Sequence, residues 1–162
     1  ALERLREVYG ELSEADRQLV RSSLHLGRVA SEYQDRFQRG DFLVRNVVGA
    51  DPESGVIAVG DLVRTGQTVQ FHVRDADTAH EDLLHLLTLG PTAAPPAGAL
   101  VFTCNGRGTR LFQTPHHDAR CLQDALGPVP TAGFFAQGEI GPIGKRNFLH
   151  GFTASIALIE EA

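Results

Sequence analysis

Apolar residues fall at helical spacing at the start of the chain, where Leu2, Leu5, Val8, Tyr9 and Leu12 share one face and Arg4, Arg6, Glu7 and Glu11 the other. This predicts an amphipathic helix ending near Gly10. Ser13 followed by Asp16 has the pattern of a capped helix start, and Ala15, Leu19 and Val20 supply the stripe of a second helix. From Leu24 to Ala30 the period drops to two, with Leu24, Leu26 and Arg28 set against His25 and Val29. A strand is expected there. Residues 31–40 are polar and read as a loop into a second strand over Asp41 to Gly49. Asp51-Pro52-Glu53-Ser54-Gly55 puts proline and glycine where a reversing chain needs them, with a return strand at Val56 to Val59. Gln67 to Arg74 makes the next strand, with Val69, Phe71 and Val73 expected inside and Gln70, His72 and Arg74 in water. Connections of this kind predict a four-strand antiparallel meander.

Thr78 and Glu81 have the spacing of a capping box, and Leu83, Leu84, Leu86, Leu87 and Leu89 continue a helix to Gly90-Pro91. Thr92 to Gly98 reads as a surface connector. Ala99 to Cys104 is a near-continuous apolar run suited to a buried central strand, ended by Asn105-Gly106-Arg107-Gly108. Thr114-Pro115 reads as a helix start, with Ala119, Leu122, Ala125 and Leu126 on one face and Gly127-Pro128 as the stop. Between Thr131 and Ile159 two alternating runs flank a connection in which Gly141-Pro142 and Gly144 should interrupt pairing. The class expected is α+β: a single domain over residues 1–162, with packed helices on a largely antiparallel or mixed sheet.

Composition narrows the function classes. A chain of 162 residues buries about 70% of its unfolded surface without disulfides. A net charge of −5, with basic residues scattered along the chain, argues against nucleic acid as a partner. No apolar run is long enough to span a membrane, and no leader peptide is visible. Cys104 and Cys121 are too few for a disulfide framework, so a reduced, cytoplasmic setting is the default. The absence of methionine suggests a piece of a longer chain.

Candidate chemistry is sparse. His80 and His85 are five positions apart, about 140° around a helix, and cannot share a metal as an i, i+4 pair does. His116-His117 reads as exposed residues of a first helical turn, and neither cysteine has further ligands near it in sequence. No metal and no cofactor is expected. Phosphate-binding loops, dinucleotide fingerprints and nucleophile elbows are all missing, so catalysis has no motif behind it. The polar residues that gather at strand ends are Asn105 and Arg107 in one loop and Glu139, Asn147 and His150 in another. An arginine fork suits a carboxylate and a glutamate suits an ammonium. Strand, helix, strand usually returns a parallel neighbour, so the loops after Cys104 and after Glu139 should open on one edge of the sheet. All five residues are therefore expected to converge on one ligand site. A structural Arg–Glu ion pair is the alternative reading.

The strings Asn-Gly-Arg-Gly at 105–108, Gly-Glu-Ile-Gly-Pro at 138–142 and Asn-Phe-Leu-His-Gly-Phe-Thr at 147–153, with Asp41 to Gly55 and Gly66 to Leu83, resemble the C-terminal domain of the FIST family. FIST proteins are sensory input modules of intracellular signal transduction. The resemblance implies sensing of a small ligand, with amino acids the proposed class, an upstream FIST N-terminal domain as partner, and a signalling output partner of unknown kind. It brings no catalytic residues. A module for protein interaction or dimerisation, and an unrecognised enzyme, remain as alternatives.

Overall fold

The computed structural model describes residues 1–90 and 95–160, and the chain divides into two compact units, Ala1–Asp75 and the residues from Ala76 on, where a single domain is expected from length. The α+β class holds in each. In the first unit, α1 (Leu2–Glu11) and α2 (Glu14–Ser23) precede β1 (Leu24–Val29), β2 (Phe42–Asp51), β3 (Val56–Val59) and β4 (Val69–Val73). Ser13 caps α2, its hydroxyl accepting from the Asp16 N–H at 3.2 Å, as the spacing predicts. Residues 51–55 form the expected turn between antiparallel β2 and β3. Gly55 takes φ +70° there, and its N–H reaches the Asp51 carbonyl at 2.9 Å.

The strand order is β3-β2-β1-β4, so the expected meander is not formed. The fourth strand returns to lie antiparallel beside the first, a Greek-key arrangement. The facing of β4 also differs from the expectation. Val69 and Val73 are exposed, while His72 packs against Phe42 on the side of the sheet that buries His25, Gly27 and Val29. The reason is local: Gly27 has no side chain, and a Cβ there would lie 2.4 Å from His72 Nε2. The glycine makes the room that the imidazole occupies.

The second unit contains α3 (Ala76–Thr88), β5 (Gly98–Cys104), a single 3-10 turn at Gly108–Arg110, α4 (His117–Leu126), β6 (Thr131–Ala136), β7 (Glu139–Ile143), β8 (Arg146–His150) and β9 (Ala154–Ile159). Two helix starts depart from the sequence reading: α3 begins ahead of Thr78, and α4 begins after Thr114-Pro115, behind His116 in the left-handed region at φ 60°. Of the connector expected over Thr92 to Gly98, residues 92–94 lie outside the described residues, as does Pro91 of the expected helix stop. β5 is the central strand of a mixed sheet, parallel to β6 and antiparallel to β9. Its inward residues Ala99 and Val101 join Leu83 and Leu87 of α3, Cys121 and Leu122 of α4, and Val129 in one core.

The last stretch is built differently from the two runs expected. Gly141 and Pro142 do not interrupt pairing but lie within β7, opposite Phe148 and Asn147 of β8. Only Gly144-Lys145 turns the chain, and Gly144 at φ +58° in the first central position suits a tight hairpin. The strand that pairs with β5 is thus β9, after a further reversal at Gly151–Thr153.

Candidate functional site

The parallel β5–β6 pair carries its two C-terminal loops to one edge of its sheet, as the strand–helix–strand argument requires. The Asn105 N–H bonds the Ala136 carbonyl at 2.8 Å, and the Cys104 N–H bonds the Thr153 carbonyl at 3.0 Å. Glu139 follows on the same edge, fully buried, with Oε2 accepting from the Thr153 hydroxyl at 2.9 Å. His150 is its register partner across β7–β8, and its Nε2 contacts the Gly141 carbonyl at 3.0 Å. Thr153 thus links Cys104, just before Asn105, to Glu139, whose register partner is His150. Asn147 is not among them: it pairs with Pro142 near the hairpin turn, exposed, at the far end of the ribbon.

Arg107 lies on the expected edge but is committed elsewhere. Its Nε and Nη2 donate to both carboxylate oxygens of Asp118 at 2.8 Å, in a pair whose side chains are each only 6% exposed. The guanidinium also lies over the Phe112 ring at 5.1 Å. Burial raises the Asp118 carboxyl, but hydrogen bonds and charge from Arg107, with a further bond from His117, outweigh it and hold the group below the usual carboxylate range. The arginine fork thus serves a carboxylate of this chain, a partner the sequence reading did not consider.

A cleft of about 250 Å³ opens beside this pair. Val101, Gly133, Phe134 and Phe135 give it an apolar strand wall, and Thr103, His116, His117 and Asp118 face them with polar groups. None of the five residues expected at the ligand site lines it.

His117 is the residue most misjudged from sequence. Its ring stacks on Phe112 at 3.4 Å with planes 6° apart, and its Nδ1 lies 2.9 Å from Asp118 Oδ1. An ionised Asp118 can only accept, so Nδ1 carries a proton, and in the neutral ring Nε2 presents a lone pair. That nitrogen lies 3.0 Å from His80 Nδ1 and 3.7 Å from Cys121 Sγ, and Sγ is 3.6 Å from His80. The premise that no histidine or cysteine finds partner ligands therefore fails in space. One signal was present in the sequence: His117 and Cys121 are an i, i+4 pair on one helix face. The order Asp118–His117–Cys121 also resembles an acid–base–thiol arrangement. Against that use, the thiol is buried and absent from the cleft wall, and burial together with Asp118 and Asp124 pushes its pKa up.

Comparison with known proteins gives a consistent picture. The FIST C domain family matches residues 1–142. The uncharacterized protein Rv0628c of Mycobacterium tuberculosis is 49% identical over 161 residues, covering 97% of this chain and 42% of that protein. The uncharacterized protein Mb0898c of Mycobacterium bovis is 49% identical over 159 residues, covering 97% and 41%. The chain thus spans about two fifths of the length of these relatives. Among the described residues, no helix is long and apolar enough to cross a membrane.

Proposed function

Since the chain belongs to the FIST C domain family, a family of signal-transduction sensory domains, we propose that it binds a small metabolite, such as an amino acid, in the cleft beside β6 and α4. The observation that carries this reading is the mixed lining of the cleft. Apolar Val101, Phe134 and Phe135 suit a side chain or ring, while Thr103 and His116 offer hydrogen bonds to a polar end. Recognition on this reading does not use an Arg107–Glu139 clamp, since Arg107 holds Asp118 and Glu139 holds Thr153. The chain acts as a receptor without turnover, as one part of a longer cytoplasmic protein with an upstream FIST N-terminal domain and a separate signalling output.

The test is a calorimetric screen of amino acids and related metabolites against the wild type and Ala132→Phe, which places a ring at a cleft-lining strand position. Binding by the wild type that is lost in the variant is the expected result. A ligand whose heat of binding survives Ala132→Phe would move recognition out of the cleft.

One observation favours a second reading, an interaction surface. Phe134 and Phe135 on edge strand β6 are 63% and 57% exposed, and Ile140 and Leu149 on the β7–β8 ribbon are exposed as well. Concentration-dependent association that Phe134→Ser abolishes would support it.

A further inference from the structure

We propose that His80, His117 and Cys121 form a site for one zinc-class divalent cation, held between α3 and α4. The donors come from two helices, with His117 and Cys121 one turn apart on α4 and His80 facing them from α3. All three donor atoms lie within 4.8 Å of one another. A tetrahedral ion with bonds of about 2.05 Å to nitrogen and about 2.3 Å to sulfur separates two nitrogens by about 3.3 Å and nitrogen from sulfur by about 3.6 Å. The observed separations are 3.0 Å between the nitrogens and 3.6 and 3.7 Å from sulfur to each. The side chains already have the spacing of a coordination shell.

Their orientation points the same way. Asp118 accepts the hydrogen bond from the His117 Nδ1–H and so turns Nε2 toward His80 and Cys121, the carboxylate–histidine arrangement that supports metal-binding imidazoles. Arg107 fixes that carboxylate with two bonds, and Phe112 fixes the plane of the ring. A ligand held by two groups that Arg107 in turn contacts is preorganised for a cation.

Two imidazoles and a thiolate are a donor set for Zn²⁺ and not for Mg²⁺ or Ca²⁺, which require oxygen. Three protein donors leave one tetrahedral position for water or an outside ligand. On loading, the Cys121 S–H bond is replaced by a sulfur–metal bond and its proton passes to the buffer, while His80, whose Nδ1–H otherwise donates to His117 Nε2, takes the Nε2–H tautomer so that Nδ1 can bind, with no change of oxidation state. His117 also lines the cleft, but the cation site stands on its own donors.

Titration of the full chain with Co²⁺ under reducing conditions tests the assignment. The wild type should develop a thiolate-to-cobalt charge-transfer band and the strong visible bands of a four-coordinate ion, saturating at one equivalent and displaced by Zn²⁺. His80→Gln and Cys121→Ser should lose the charge-transfer band and the tight equivalent, whereas His85→Gln and Cys104→Ser should keep both. Circular dichroism establishes that each variant is folded, and the wild-type spectrum decides the matter even where a variant is not. A wild type without saturable cobalt binding overturns the proposal, as does unchanged binding in both His80→Gln and Cys121→Ser.

Discussion

Arg107 grips both carboxylate oxygens of Asp118 through Nε and Nη2, each at 2.8 Å, and neither side chain is more than 6% exposed. A buried pair of this kind contributes little over an apolar pair of equal volume, but losing one partner strands a charge away from water. Arg107→Ala should therefore cost about 3–5 kcal/mol of stability. Urea unfolding is the measurement, and a loss under about 1 kcal/mol would show that water reaches Asp118 freely.

Gly133 sits in β6 opposite Val101 of β5, where an added Cβ would lie 1.8 Å from the Val101 carbonyl oxygen. Backbone cannot swing aside as a flexible side chain does, so the two strands would have to separate locally. Gly133→Ala should destabilise the unit by about 1–3 kcal/mol or more, despite adding a single methyl group. A thermal midpoint equal to that of the wild type would contradict this account.

His25 and His72 are register partners on β1 and β4. Burial is the main cause holding both imidazoles below their ordinary 6.5, opposed at His25 by the Ser23 carbonyl and Asn46 and reinforced there by Arg74. Phe42 packs on His72, whose Nε2 has no hydrogen-bond partner among the described residues. Below pH 6.5 the unfolded chain protonates both rings before the folded chain does. The unfolded state then binds more protons, so stability falls as pH drops through and below about 6.5. The urea midpoint should decline across that window, and His72→Gln should flatten the decline.

Glu139 has one carboxylate oxygen bonded to the Thr153 hydroxyl, while the other has no hydrogen-bond partner among the described residues. Thr153→Val keeps the shape and removes the donor, which leaves the buried carboxylate unsatisfied at Oε2 as well. The expected loss is about 1–3 kcal/mol. Equal unfolding midpoints for the variant and the wild type would show that the hydroxyl is dispensable.

Local features were legible in the sequence because their causes are local. Ser13 reaches a backbone N–H three residues away, and Asp51 to Gly55 reverses the chain by its own turn chemistry. The apolar run Ala99 to Cys104 announces a strand covered by neighbours, and the handedness of strand–helix–strand units makes β6 its parallel partner. Family membership was legible for the same reason, in short glycine- and asparagine-bearing strings. What only the tertiary structure decided were choices between partners far apart in the chain. β4 lies beside β1 instead of β3, and the 60–68 connection is tied there by partners far away in the chain: Asp61 accepts from Arg28 and Arg45, and Thr68 bonds Glu32 and Val29. Arg107 was read as a fork for a ligand carboxylate, but its guanidinium holds Asp118, eleven positions on, which the packing of α4 brings to it. His80 meets His117 across 37 positions because Leu83 and Leu87 of α3 share a core with Leu122 of α4, and apolar burial, which has no direction of its own, thereby set three donor atoms within bonding distance of a common point.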